Sequence, residues 1–269
     1  MLMSYNLRLY AYIDRDDDGQ PDDFKPEAEI NPLISIIQQA QPDILAIQEV
    51  GAESALHDLH ERLQIAGIDY PHIDYLKNKG TFANLAILSK YPIRSTHPVT
   101  NLFYTIKGKQ YPVLRGFQQV EIEITPQHLV TVINIHLKSK IYHPAGQTEM
   151  RRNESRLLAT HIRRLLKPDP HRQIIVSGDF NDNVRSSSMR EMLEDNQSRL
   201  NDLPLYDSLG QIWTHFYRYG ETYSRIDYLL TSKSLRQQWI KEKSGIILSP
   251  LTQTASDHRP IYATFSLRN

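Results

Sequence analysis

The sequence predicts an α/β chain built from two mixed β-sheets packed face to face, with helices outside. Three observations carry that expectation. Apolar runs of strand length recur from one end of the chain to the other, several of them alternating apolar and polar residues. Helix-length amphipathic stretches separate some of these runs. Two neighbouring runs are joined by TPQH alone, short enough for an antiparallel hairpin, which a purely parallel sheet does not contain.

The strand runs in order are LMSYNLRL, DILAIQEV, LAILSK, VLRGFQQVEIEI, LVTVINIHL, QIIVSGD, RIDYLL, GIILS and PIYATFSL. In the fourth, Val120, Ile122 and Ile124 alternate with Gln119, Glu121 and Glu123, the mark of a strand with one buried face. The hairpin joins strands at 112–124 and 129–137. Four helices are expected. Asn31-Pro32 reads as an N-cap with proline at the first helical position of a helix ending near Ala40. Glu53 to Ala66 is the second. Glu149 to Lys167 is the third, with Leu158, Ile162 and Leu165 on one face. Ser186 to Asp195 is the fourth.

The chain has 269 residues, 40% of them hydrophobic, and no Gly/Ser tract, proline run or internal repeat divides it. A single domain over 1–269 is expected. Lys+Arg and Asp+Glu both number 31, so the formal charge is zero and no overall basic field attracts a polyanion. A local patch or a bound cation has to do that work. The absence of cysteine excludes a disulfide scaffold, a thiolate nucleophile and a Cys-ligated zinc or iron–sulfur site. No run of about 18 apolar residues is present, so no membrane span is expected. The first strand starts almost at the N-terminus, which suits a cytoplasmic chain, or a secreted or periplasmic one whose signal peptide has been removed. No protein partner is implied.

Polar exceptions gather at the ends of the apolar runs: Asn6, Glu49, His136, Asp179 and Asn181 in GDFND, Asp227, and Asp257-His258 before the last strand. Singly, each suits a turn or a hydrogen-bonded strand position. Together, converging carboxylates would resist joint ionisation, and a divalent cation removes that penalty. Carboxylate and amide oxygens favour Mg²⁺, Mn²⁺ or Ca²⁺ over zinc. Histidines beside such a site suit acid–base work, and a phosphate ester is the substrate that fits.

The ordered set SYNLR, QE, NIHL, GDFN, RIDYLL and SDHRP resembles the endonuclease/exonuclease/phosphatase family with the deoxyribonuclease-I-like fold, over residues 3 to 266. The resemblance implies a four-layer α/β sandwich and hydrolysis of phosphodiesters with Mg²⁺ or Mn²⁺. It implies a metal site at Asn6, Glu49 and Asp257. It also implies His258 as general base oriented by Asp227, and Asp179 with Asn181 positioning water and the scissile phosphate. His136 stands where deoxyribonuclease-like and phosphodiesterase-like members carry a catalytic histidine. Arg8 is similar to a phosphate-contacting arginine. A nuclease acting on DNA or RNA is the first expectation. A phosphatase or phosphodiesterase on small-molecule or lipid head-group phosphates is the second, and a non-catalytic binding module on the same fold is the rival from another class.

Some features depart from the family. Members that cut at abasic sites carry tyrosine in a YVPN-like stretch, where this chain has NIHL. KNKGTFAN holds no carboxylate to orient His136, and Asn84 is the nearest polar candidate, so phosphate binding is an alternative role for that histidine. Asp14, Asp16, Asp18 and Gly19 match the first half of an EF-hand-like calcium loop, but Lys25 stands where that loop needs Glu; a solvated acidic loop is the plain alternative. HDLHE, residues 57–61, has the wrong order for a zinc-protease helix and reads as a polar helix face. Lys138 and Arg152 are expected near the cleft mouth, where they could hold a second phosphate, and Arg115 is a similar candidate in the strand before the hairpin. The remaining arginines of the third helix read as a solvated face. The tyrosines of FYRYGETYSRID suit either base stacking or packing.

Overall fold

The computed structural model describes residues 1–78, 81–193 and 200–266. In chain order the first half runs β1 (Leu2–Tyr10), α1 (Glu27–Ala40), β2 (Ile44–Val50), α2 (Glu53–Ile65), β3 (His72–Leu76), β4 (Asn84–Ser89), β5 (Ile93–Thr96), β6 (Phe103–Ile106), β7 (Lys109–Pro112), β8 (Phe117–Thr125) and β9 (His128–His136). The second half runs α3 (Gln147–Leu166), β10 (Ile174–Asp179), α4 (Ser187–Leu193), β11 (Asn201–Asp202), β12 (His215–Tyr217), β13 (Thr222–Ser224), β14 (Asp227–Thr231), α5 (Lys233–Arg236), β15 (Trp239–Ile246), α6 (Thr252–Ala255) and β16 (Ile261–Phe265).

Two six-stranded sheets form, in the orders β15-β16-β1-β2-β4-β3 and β11-β14-β10-β9-β8-β5. Both are mixed. β1 runs parallel to β2 and antiparallel to β16, and β10 runs parallel to β9 and antiparallel to β14. The hairpin β8–β9 is antiparallel, as TPQH implied. Short hairpins β6–β7 and β12–β13 project outside the sheets; they were not foreseen, because runs of three or four residues carry too little periodicity to read.

Side-chain alternation sets the layers. Met3, Tyr5, Leu7, Leu45 and Ile47 face α1 and α2, where Ile30, Leu33, Ile36, Leu56 and Leu59 meet them. On the other sheet Ile133, Ile135, Ile174 and Val176 face Leu158, Ile162, Met189 and Met192 of α3 and α4. The alternate positions Leu2, Ile44, Ala46, Val130, Val132, Ile175 and Leu229 fill the space between the sheets. The result is the four-layer order helix, sheet, sheet, helix. The HDLHE stretch lies on α2 with Leu56, Leu59 and Leu63 buried.

Along the inward face, character changes from apolar to polar. Leu2 gives way to Ser4 and Asn6, Ala46 to Gln48, Val132 to Asn134 and His136, and Ile175 to Ser177 and Asp179. Where the change occurs, the two sheets are hydrogen-bonded side chain to main chain. Asn134 Nδ2 donates to Ile47 O at 2.9 Å and Ala86 O at 3.2 Å in the facing sheet, and to Gln118 Oε1 at 3.1 Å. Gln48 Nε2 donates to Asn134 Oδ1 at 2.7 Å and to Ser4 Oγ at 3.1 Å. β10 also presses closely on β9: Gly178 has φ 141°, and a Cβ there would lie 2.0 Å from Ile135 O.

Several expected details change. The first helix starts four residues before Asn31, with Pro26 as its N-cap residue, and Pro32 sits inside it. The apolar stripe of Ile30, Leu33, Ile36 and Ile37 extends the helix upstream and outweighs the hydrogen bond that Pro32 cannot make. The fourth expected helix is shorter, Ser187–Leu193; Glu194 and Asp195 fall outside the described residues. Residues 113–116 are irregular, so Arg115 is not in a strand; β8 begins after Gly116, whose φ of 68° breaks the run. Among the described residues no helix is long and apolar enough to cross a membrane.

Two substitutions test these constraints. Asn134→Ala orphans the Gln48 amide and is expected to cost about 2–3 kcal/mol, read as a lower urea midpoint at unchanged slope. Gly178→Ala forces β10 away from β9 and is expected to cost about 1–3 kcal/mol in the same measurement. An unchanged midpoint in either variant counts against the corresponding constraint.

Candidate active site

The polar ends of the inward faces meet at one edge of the sandwich. In the second sheet, register places His136 of β9 beside Asp179 of β10, and Asp179 beside Asp227 of β14. From the facing sheet, β1 brings Asn6 and β2 brings Glu49. Plain alternation would turn Glu49 to the helix side with Leu45 and Ile47. Both strands bulge instead: their ladders shift register after Asn6 and after Gln48, and Arg8, Leu9 and Glu49 take φ of 49°, 56° and 63°. Asn181, just past β10, has φ 54°. Non-glycine residues in this left-handed region cost on the order of 1–3 kcal/mol each and persist only where the surroundings enforce them. Here they re-aim side chains into the cleft.

Asp179 Oδ2 is the hub. It accepts hydrogen bonds from Asn6 Nδ2 at 3.2 Å and Asn181 Nδ2 at 3.1 Å, and lies 3.3 Å from His136 Nε2 and 3.8 Å from His258 Nε2. Asp179 Oδ1 accepts the Asn181 N–H at 2.8 Å. Asn6 Nδ2 also donates to Glu49 Oε1 at 3.1 Å, while its Oδ1 accepts the Arg8 N–H at 3.0 Å. Glu49 Oε2 accepts the Leu9 N–H at 3.0 Å, and Glu49 Oε1 lies 3.8 Å from His136 Nε2. Asn181 Nδ2 spends a second bond on Leu137 O at 3.1 Å.

His258 is held from behind. Its Nδ1 lies 3.1 and 2.9 Å from the two oxygens of Asp227, which leaves Nε2 turned toward Asp179. Ser256 Oγ accepts the His258 N–H at 3.1 Å and donates to Asn6 O at 2.8 Å, tying the last segment to β1. Asp257 lies farther out: its half-exposed carboxylate is 3.9 Å from Arg8 Nε and 3.8 Å from His215 Nε2.

These contacts set proton affinities. Burial raises Asp179 to about 7; the neighbouring Asp227 and Glu49 charges add to the rise and His258 opposes it. Burial alone would lower His258, but Asp227 and Asp179 outweigh it and raise the imidazole to about 10. Burial, together with Arg115, His258 and Lys138, holds His136 well below the ordinary histidine range, so that ring is neutral. His136 Nδ1 is buried with no hydrogen-bond partner; Asn84, the polar candidate, donates its amide to Gly51 O instead.

The cleft thus gathers Asn6, Glu49, His136, Asp179, Asn181, Asp227 and His258. Arg115 sits under its rim, with Nη1 3.4 Å from Leu137 O and Nε buried without a partner. Lys138 follows His136, and its N–H is held by the buried Glu154 at 2.6 Å. Arg152 is turned away, its Nε 2.9 Å from Glu191 Oε1. Residues not foreseen complete the site. The His215 ring packs 4.6 Å from that of His258, and Thr214 Oγ1 accepts the N–H groups of Ile226 and Asp227 at 3.0 and 3.1 Å. Neither lies in a quoted motif; Ser256 does, as the residue before Asp257.

Three groups of metal-competent side chains occur among the described residues: Asp179–Asp227–His258, His215–Asp257–His258 and Asp14–Asp16–Asp23. The first two meet at the cleft. With Glu49 beside them, they supply the hard oxygen donors that a divalent cation such as Mg²⁺ or Mn²⁺ takes, and the buried carboxyl of Asp179 needs a proton or a cation for balance; Asn6 presents its Nδ2 to these carboxylates, its Oδ1 being held by the Arg8 N–H. In the acidic loop, Asp23 replaces Asp18 as the third carboxylate. Asp18 accepts the Gln20 N–H at 2.8 Å, Asp14 accepts those of Asp18 and Gly19, and Lys25 is buried against Glu29.

The sequence profile described as Endonuclease/Exonuclease/phosphatase family matches residues 3–258. A search of curated protein sequences finds no significant match. Similar solved structures include beta toxin from Staphylococcus aureus, with TM-score 0.69 and 18% identity over 98% of this chain and 99% of the toxin. Sphingomyelinase C from Streptomyces griseocarneus gives TM-score 0.65 and 18% identity, with 97% of each chain covered. An AP endonuclease from Archaeoglobus fulgidus gives TM-score 0.65 and 15% identity, covering 99% and 100%. At these identities the likeness describes the fold. The profile match over most of the sequence does more: the chain belongs to the Endonuclease/Exonuclease/phosphatase family.

Proposed function

We propose that the protein is a divalent-metal-dependent phosphodiesterase, with a nuclease acting on DNA or RNA as its leading form. The observation that carries this reading is the His258–Asp227 pair, whose open ring nitrogen faces a cleft of carboxylate and amide groups. The names of its structural neighbours span both nuclease and lipid chemistry, an AP endonuclease and a sphingomyelinase C, so the fold supports phosphoester hydrolysis in general.

The residues divide the work. A cation held by Glu49 and Asp179, by the Asn6 oxygen once that amide turns over, and with Asp257 at the outer edge, would neutralise the clustered carboxylates, polarise the phosphoryl group and lower the proton affinity of His258. His258 Nε2 then takes a proton from the attacking water. Asp227 fixes the ring and stabilises the imidazolium. Neutral His136, whose Nε2 lies 3.3 Å from Asp179 Oδ2, would donate from that nitrogen to a phosphate oxygen rather than act as a charged acid. Asn181 offers its amide to the same oxygens after leaving Leu137 or Asp179. Arg8 and Arg115 lie at the two sides of the cleft to meet further phosphate charge, with Lys138 beside Arg115.

A lipid head-group substrate is the second reading. It draws on the exposed apolar side chains of the rim, Ile141 and Tyr142 after β9 and Tyr219 at the tip of the β12–β13 hairpin. Incubation with Mg²⁺ or Mn²⁺ and plasmid, single-stranded DNA, RNA, a chromogenic phosphodiester and choline-lipid vesicles separates the two.

His258→Ala is expected to lower turnover by about 10²–10⁴-fold, and Asp227→Asn to lower it in the same direction with little change in KM. Chelation should abolish turnover, and re-addition of Mg²⁺ should restore it. Full activity in chelator or in His258→Ala would overturn the mechanism; no activity on any substrate would favour a binding module. A stability profile tests the rim. Burial raises Glu154 to about 7 from its ordinary 4.5, against the pull of the Lys138 N–H, Arg115, Lys138 and Arg151. The stability it contributes is therefore whole below about 4.5 and lost as pH rises through about 7. Glu154→Gln should flatten that decline in a series of melting temperatures; an unchanged slope rules Glu154 out as its source.

A further inference from the structure

Arg15 and Lys25 are the two basic residues of the segment between β1 and α1, and both reach back to the strained end of β1. Lys25, with its side chain wholly buried, donates from Nζ to Arg8 O at 3.3 Å and to Glu29 Oε2 at 2.7 Å. Arg15 Nη2 donates to Leu9 O at 2.9 Å. Arg8 and Leu9 are the two residues of β1 with left-handed φ, 49° and 56°. The peptide unit that joins them is held at both ends. Its carbonyl, Arg8 O, takes the Lys25 ammonium, and its N–H, that of Leu9, is given to Glu49 Oε2 at 3.0 Å. In a trans peptide these two groups point in opposite directions. A cation behind the carbonyl therefore fixes the donor in front of Glu49, and polarises it.

The acidic loop delivers both cations. Ile13 and Asp23 exchange main-chain hydrogen bonds at 2.9 and 3.0 Å, and Asp23 Oδ2 accepts the Arg15 N–H at 2.9 Å. Arg15 is thereby held over the bulge, and Lys25 follows two residues after Asp23. In the sequence Lys25 is the residue that spoils the calcium-loop pattern. The structure gives it a different task. We propose that Lys25 and Arg15 are positioning residues for the metal site: they clamp the Arg8–Leu9 bulge so that Glu49 presents its carboxylate to a divalent cation. This deepens the metal-dependent reading of the cleft and rests on it. A plain structural pair is the rival account. Glu29 is 28% exposed and could be balanced by solvent, whereas burying an ammonium is costly unless its donors are used. One of those donors is used on the strained strand that orients Glu49.

The test measures Mn²⁺ binding to the full chain by electron paramagnetic resonance, with Glu49→Gln identifying the bound ion that belongs to the cleft. Lys25→Met is expected to weaken the affinity for that ion about tenfold, within the range seen when partners of metal ligands are removed. The sign separates positioning from charge, because Coulomb's law alone predicts tighter cation binding once a nearby positive charge is gone. Arg15→Gln should weaken binding in the same direction, and Arg15→Lys should keep the wild-type affinity. Hydrolysis of bis(p-nitrophenyl) phosphate across a Mg²⁺ series should show the loss at limiting Mg²⁺ and recover at saturation, with KM for the ester unchanged. Equal or tighter Mn²⁺ binding in Lys25→Met overturns the proposal even where the melting temperature falls, since that is the result a plain structural pair with Glu29 gives. Should Lys25→Met fail to fold, equal or tighter binding in Arg15→Gln overturns it in the same way. Hydrolysis by the wild type with unaltered Mn²⁺ affinity in the variants leaves the catalytic reading standing and removes the positioning role. Weakened Mn²⁺ binding in the variants, with no hydrolysis by the wild type, does the reverse. A wild type that binds no Mn²⁺ at the Glu49 site overturns both.

Discussion

The site depends on a buried amide that joins the two sheets. Apolar side chains between the sheets provide most of the cohesion, but such packing is non-directional and does not by itself fix how one sheet is registered on the other. Asn134 does. It reaches from β9 to the main chain of β2 and β4 and accepts from Gln48, so any slip leaves amide groups buried and unsatisfied at a cost of about 1–3 kcal/mol each. His136 lies two residues beyond Asn134 and Glu49 one residue beyond Gln48. The network therefore sets the separation of the two halves of the cleft, and Ser256 adds a second tie at Asn6.

Given that register, electrostatics dominate. Glu49, Asp179 and Asp227 converge in a largely buried space with His136 and His258, and the strained backbone at Arg8, Leu9, Glu49 and Asn181 holds them there. Burial raises the proton affinity of Asp179, and the adjoining Asp227 and Asp179 carboxylates raise that of His258. Under the proposed function, proton and metal would compete for one set of groups, and the low-dielectric surroundings that make the cluster costly would strengthen its action on a phosphoryl group.

Much of this was legible in the sequence because strand alternation is simple. Residues two apart share a face, so Val132, Asn134 and His136, or Ile175, Ser177 and Asp179, announce an inward face that turns polar toward one end. Motif order placed Glu49 in the cleft although plain alternation would not, because a bulge reverses its facing. Elsewhere local signals misled: the helix before Pro32 begins earlier than its capping signal, and Arg115 falls in an irregular turn rather than a strand. In the acidic loop the carboxylate that lies with Asp14 and Asp16 is Asp23, brought there by the pairing of Ile13 with Asp23 across the loop.

By itself, the sequence determined the two-sheet sandwich and the set of residues gathered at the strand ends, since these follow from short-range periodicity and motif order. Only the tertiary structure decided how those residues face one another. Asp227 stands behind His258, Asp179 becomes the shared acceptor, and His215 and Thr214 join from the start of β12 and the residue before it. Such pairings connect positions tens to hundreds of residues apart. They are set by sheet register, bulges and helix packing, which no local pattern encodes.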